Sequence, residues 1–100
     1  MTPELFRASL SAGHPPAGLP LALEALWWAG KGVWERAHGL VQDEPGAEAA
    51  WVHAYLHRVE GDLANAGYWY KRAGRTVAVG GLDEEGRAIA TALLAPGEPP

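Results

Sequence analysis

The chain has 100 residues, 48% of them hydrophobic, enough for one independently folding core. A formal charge of −4 argues against a nucleic-acid protein, because phosphate binding needs clustered Lys and Arg. With no cysteine there is no disulfide framework, thiolate zinc site or cysteine nucleophile.

The amino terminus carries Glu4 and no basic start before an apolar run, so it does not read as a secretory signal. No run of about 18 apolar residues offers a spanning helix. The expectation is a cytoplasmic protein with no membrane or nucleic-acid partner. Ala is the commonest residue, and Val, Ile and Thr are sparse outside Thr76 to Val79, which favours helix over sheet.

In chain order, Thr2 caps a first helix with Pro3 and Glu4 in its first turn, and "SAGHPPAGLP" breaks it. His14 falls in that loop and reads as solvated. Pro20 opens a second helix that ends at Gly30-Lys31-Gly32. A third, "VWERAHGLVQDE", presents Val33, Trp34, Ala37, Leu40 and Val41 on one side and stops before Pro45. The fourth runs from about Ala47 to Glu60 with Val52, Leu56 and Val59 as its stripe. Gly61 ends it, and Asp62 caps a fifth helix whose stripe is Leu63, Ala66, Trp69, Tyr70 and Ala73. So short a connection predicts that these two helices fold back on each other. "GRTVAVGG" reads as a loop with at most a brief extended piece. A sixth helix spans Asp83 to about Leu94, with Leu82, Ile89, Leu93 and Leu94 apolar, and residues 96–100 read as a disordered tail.

An offset of 29 residues superposes the second and third helices on the fourth and fifth. Gly32 then meets Gly61, Ala37 meets Ala66, Leu40 meets Trp69 and Val41 meets Tyr70. A Gly five residues before a small Ala, with a bulky residue four later, resembles the second half of a tetratricopeptide repeat. Gly61, Ala66, Tyr70 and Ala73 match that family's Gly, Ala, aromatic and Ala positions, and the first unit keeps Gly32, Ala37 and Val41. The unit is shorter than the family's usual length of about 34 residues, and it lacks the early Trp and, in its second copy, the closing Pro. The stretch "WVHAYLHR…GDLANAGYWYKRAGR" is also similar to a small bacterial and fungal family of unassigned activity. These resemblances imply an all-α, single-domain fold over residues 1–95, with hairpins at 20–43 and 47–74 and capping helices at 3–11 and 83–94.

His53 and His57 lie one helical turn apart and share a face, a spacing that can hold a divalent metal, and Glu60 lies three further on. The H-E-x-x-H pattern of zinc proteases is absent. At the 29-residue offset Glu24 corresponds to His53 and Trp28 to His57, so stacked hairpins would set these four along one groove. Glu35 and His38 form a single Glu-x-x-His, where di-iron bundles use two with further glutamates. A second flank of the fifth helix carries Asn65, Tyr68, Arg72 and Arg75, residue types favoured where partners dock. Trp51, Tyr55 and Arg58 lie on a matching flank of the fourth helix, where cation–π packing between helices accounts for them without a ligand.

Of the tryptophans, Trp34 and Trp69 fall on apolar stripes and read as core. Trp27 and Trp28 point about 100° apart, so Trp28 is the better groove wall. Neither a nucleophile elbow around Ser9 or Ser11 nor a phosphate loop is present. The expected function is a non-enzymatic module binding a protein or peptide through Glu24, Trp28, His53 and His57 and the Tyr68, Arg72 flank, with no cofactor. The alternative is a small metal- or ligand-binding protein, with catalysis open, using His53, His57 and Glu60 or Glu24. A homodimer whose groove is its own interface is the third reading.

Overall fold

Helix ends in this chain are set by a few local hydrogen bonds. In the computed structural model, which describes residues 1–95, they delimit six α-helices: α1 (Pro3–Ala8), α2 (Leu21–Gly30), α3 (Trp34–Val41), α4 (Ala47–Glu60), α5 (Leu63–Ala73) and α6 (Leu82–Leu94). No strand occurs among the described residues, and the expected disordered tail, 96–100, lies outside them. Thr2 Oγ1 accepts the Leu5 amide at 3.1 Å to start α1, and Asp62 Oδ1 accepts the Asn65 amide at 3.2 Å to start α5. A 3-10 turn at Ser9–Ser11 continues α1. The third helix is shorter than expected: it ends at Val41, and a turn carries the chain to Pro45.

The two central connections are built alike. After α2, Gly32 takes a positive φ of 80°, its amide bonding Ala29 O and the Val33 amide bonding Trp28 O. After α4, Gly61 takes a φ of 89°, its amide bonding Arg58 O and the Asp62 amide bonding His57 O. This paired closure satisfies the last carbonyls of each helix, and the left-handed φ is why Gly stands at both positions. Val33 and Asp62 then share nearly the same backbone conformation, φ −99°, ψ 73° and φ −90°, ψ 81°. Each turn leads straight into a helix that packs on its predecessor, α3 on α2 and α5 on α4.

The main core lies where α2 and α4 meet α1, α3 and α6, with Leu23, Trp27, Val41, Val52, Leu56 and Ile89 fully buried. The indole N–H of buried Trp27 donates to Ser9 Oγ at 3.0 Å, and Lys31 Nζ donates to the carbonyls of Leu10 and Ala12, both at 2.8 Å. These bonds fasten the amino-terminal segment to α2. Elsewhere Arg58 of α4 pairs with the buried Glu85 of α6 at 2.8 Å, Tyr70 of α5 donates its hydroxyl to the same carboxylate, and Arg58 also donates to the carbonyl of Gly80. Three helices therefore meet at one carboxylate, and the 74–81 loop is tied to Arg58 beside it.

Two expectations about side chains are corrected. Val33, Val59, Leu63 and Leu82, assigned to apolar stripes, are exposed: Val33 stands just before α3, and the others in the first or last turn of their helices. Trp28, expected to wall a groove, is only 9% exposed. It meets Trp27 edge to face, with ring centroids 5.0 Å apart, and lies under the Arg36 guanidinium. Both indoles are buried because α2 is enclosed on several sides by α3, α4 and α6. No described helix is long and apolar enough to cross a membrane.

Candidate functional site

Three histidines from two helices meet between α3 and α4. His53 and His57 lie one turn apart on α4, 3% and 6% exposed, and half-buried His38 of α3 faces them. His38 Nε2 stands 3.1 Å from His53 Nε2. The ring centroids are 4.8 Å apart for His38 and His53, 5.2 Å for His38 and His57, and 4.8 Å for His53 and His57. One nitrogen from each ring falls within 4.8 Å of the other two, close enough for a single ion to draw all three together.

Two tryptophans flank the cluster. Trp34 stacks on His38 at 4.7 Å with planes 10° apart, and its N–H donates to Leu56 O at 2.7 Å, which fixes the indole on α4. Trp69 of α5 stacks on His53 at 3.9 Å. Both tryptophans, read from the sequence as core, are partly buried and pack against the apolar clusters, and with the same side chains they wall the polar cluster.

The imidazoles differ in their partners. His57 Nδ1 is 2.6 Å from Glu60 Oε1 and donates to that carboxylate, which leaves Nε2 as the ring nitrogen free for another partner. His53 has no partner for Nδ1, which is fully buried. Its pKa is lowered from 6.5 to about 4, first by burial and then by the neighbouring His38 and His57. His38 is also lowered, by burial and by His57, with Glu60 and Asp43 pulling the other way. Near neutral pH, His38 and His53 are therefore neutral, the form that binds metals.

The predicted groove does not survive as drawn. His53 and His57 face inward rather than along a solvated surface. Half-buried Glu24 and buried Trp28 lie on α2, and no hydrogen bond, ion pair or aromatic contact among the described residues joins either to the histidines. Glu60 does not share a ligand group with His53: it sits on the Nδ1 side of His57, and His38 takes the third place. Spacing along one helix could not show this, although Trp34/His38 and His53/His57 are both four apart, and two such pairs on successive helices were the available signal. Exposed Glu35 takes no part in the cluster.

The second predicted flank lies on the surface. The Arg72 guanidinium lies 5.8 Å from the ring centroid of exposed Tyr68 and 5.3 Å from that of Trp69, and Arg75 lies 3.6 Å from that of Trp51. Arg58, which was grouped with Trp51, turns instead to Glu85. A cleft of about 720 Å³ opens elsewhere, between α1, α2, α4 and α6 over Phe6, Leu10, Leu26 and Tyr55, and none of the predicted site residues lines it. Comparison with protein-family models, with curated proteins and with solved structures gave no match for this chain.

Proposed function

We propose that the chain is a non-enzymatic, cytoplasmic binding module whose central part, about Pro20 to Arg75, is a tetratricopeptide-like pair of helical hairpins. The equivalent turns at Gly32 and Gly61 support the repeat. The docking surface is the α4–α5 flank bearing Trp51, Tyr68, Trp69, Arg72 and Arg75, and its partner is a carboxylate-rich peptide or helix.

One observation carries this reading. In a chain of net charge −4, Arg72 and Arg75 lie over aromatic rings and form no ion pair with a carboxylate among the described residues. Aromatic faces hold the guanidinium groups in place without neutralising them, leaving a flat cationic and apolar strip. Such a strip complements acidic side chains set among apolar ones. Trp28, His53 and His57 are too deeply buried to belong to it.

The test is binding of fluorescently labelled Glu-rich amphipathic helical peptides, compared with Lys-rich peptides of the same apolar pattern. The acidic series binds, and Tyr68→Ala/Arg72→Ala weakens it by about tenfold or more. Equal binding of both series, or no effect of the double substitution, removes the surface. Light scattering checks whether the acidic partner is a second copy of the chain.

A further inference from the structure

We propose that His38, His53 and His57 form a binding site for one divalent transition-metal ion, with Glu60 as the positioning carboxylate behind His57. This inference does not depend on what docks on the α4–α5 flank.

The donor set narrows the ion. Three imidazoles with no carboxylate or thiolate among them suit zinc and its neighbours cobalt, nickel and copper, and do not suit calcium or magnesium, which take oxygen ligands. Two nitrogens bound to one tetrahedral ion stand about 3.3 Å apart, from metal–nitrogen bonds of about 2.0–2.1 Å. The 3.1 Å between His38 Nε2 and His53 Nε2 is already close to that spacing. The three nitrogens lie within 4.8 Å of one another, so modest ring rotations close the set.

Partners of the rings favour the same use. Glu60 holds the proton on His57 Nδ1 and so presents Nε2 as a ligand, the carboxylate–histidine arrangement found behind metal-bound imidazoles. A neutral His38–His53 pair makes at most one N–H···N bond, and His53 Nδ1 is left buried with no partner. The protein thus bears the cost of burying three imidazoles and recovers few hydrogen bonds for it. An ion held on the Nε2 side would replace the single N–H···N contact between His38 and His53 with two metal–nitrogen bonds, while His53 Nδ1, on the far side of the ring, stays without a partner.

Position in the fold gives the site a consequence. His38 belongs to the α2–α3 hairpin and the other two to the α4–α5 hairpin, so the ion joins the halves of the central stack. Trp69 stacks on His53 and also lies under Arg72, so the site supports the exposed strip from beneath.

The test uses the full-length chain after treatment with a chelator. Zn²⁺ is titrated calorimetrically, and Co²⁺ is followed by visible absorption, whose intensity distinguishes four-coordinate from six-coordinate ions. The expected result is one ion per chain, intense tetrahedral cobalt bands, and quenching of tryptophan fluorescence by one equivalent of Cu²⁺ through the stacked Trp34 and Trp69. His38→Gln, at the most accessible of the three positions, weakens Zn²⁺ binding by about 100-fold or more, and Glu60→Gln weakens it by about 10- to 100-fold. Circular dichroism verifies that each variant is folded. His14→Ala removes the exposed histidine of the first loop and leaves binding intact. If the wild-type chain takes up no stoichiometric ion, or if binding follows His14 while folded His38→Gln binds like wild type, the proposal fails and the cluster is a packed set of neutral imidazoles only.

Discussion

Two polar clusters are buried between the helices, and they are satisfied to different degrees. Around Glu85, Arg58 and Tyr70 both donate to the carboxylate, and Arg58 reaches a backbone carbonyl as well. Around His53, one imidazole nitrogen lacks a partner and the neighbouring rings oppose each other's protonation. A complete network explains itself as a tie between α4, α5 and α6. An incomplete one, built from groups that bind metals when neutral, points beyond the protein's own atoms.

The largest effect should come from breaking the complete network. Glu85→Ala leaves the Arg58 charge largely buried and Tyr70 without an acceptor, and should cost about 3–5 kcal/mol in urea unfolding. Tyr70→Phe removes only the hydroxyl donor and should cost about 1–3 kcal/mol.

The incomplete cluster should show itself through pH. In chelator-treated protein, His53 has a folded-state pKa of about 4 against an ordinary 6.5, so the unfolded chain binds the proton more readily. Its favourable contribution is present above pH 6.5 and is lost as the pH falls through that window toward 4. The whole loss is about 3 kcal/mol. Faced by His38 and His57, which share the cluster, and by the Glu60 and Asp43 carboxylates that act on His38, His53 should dominate the slope between pH 6.5 and 5. Urea midpoints across that range should be flatter in His53→Leu; an equal slope in both proteins would assign the effect elsewhere.

A smaller effect tests the surroundings of the Glu85 tie. A Cβ on Gly86 would lie 2.8 Å from the Tyr55 hydroxyl. Gly86→Ala should therefore destabilise by about 1–3 kcal/mol despite its better helix propensity, and Tyr55→Phe in the same chain should recover part of the loss. Smallest of all, Tyr68→Ala and Arg72→Ala should each change stability by no more than about 0.5 kcal/mol, because both side chains are exposed.

What could be read from the sequence was local. Thr2, Gly61 and Asp62 declare helix ends through backbone chemistry within a few residues, and the expected bounds of α4 and α5 match the structure. The all-helical class followed from composition and from these ends. Trp28 was misplaced because a helix wheel separates two faces but does not say that both are covered; α2 has neighbours on several sides. His38 was missed as a partner because its meeting with His53 and His57 depends on how α3 packs against α4, and spacing within a single helix does not encode that contact. Val59 and Leu63 erred in the opposite direction, since hydrophobic periodicity does not report where a neighbouring helix stops.

Thermal unfolding of the chelator-treated chain near pH 7.5, with and without Zn²⁺ in about 100-fold excess over its dissociation constant, tests the metal assignment most directly. Binding to the folded state alone should raise the midpoint by about 10 °C or more, and His38→Gln should abolish most of that rise. An unchanged wild-type midpoint, or the same rise in His38→Gln, would contradict the assignment of the three histidines to a metal.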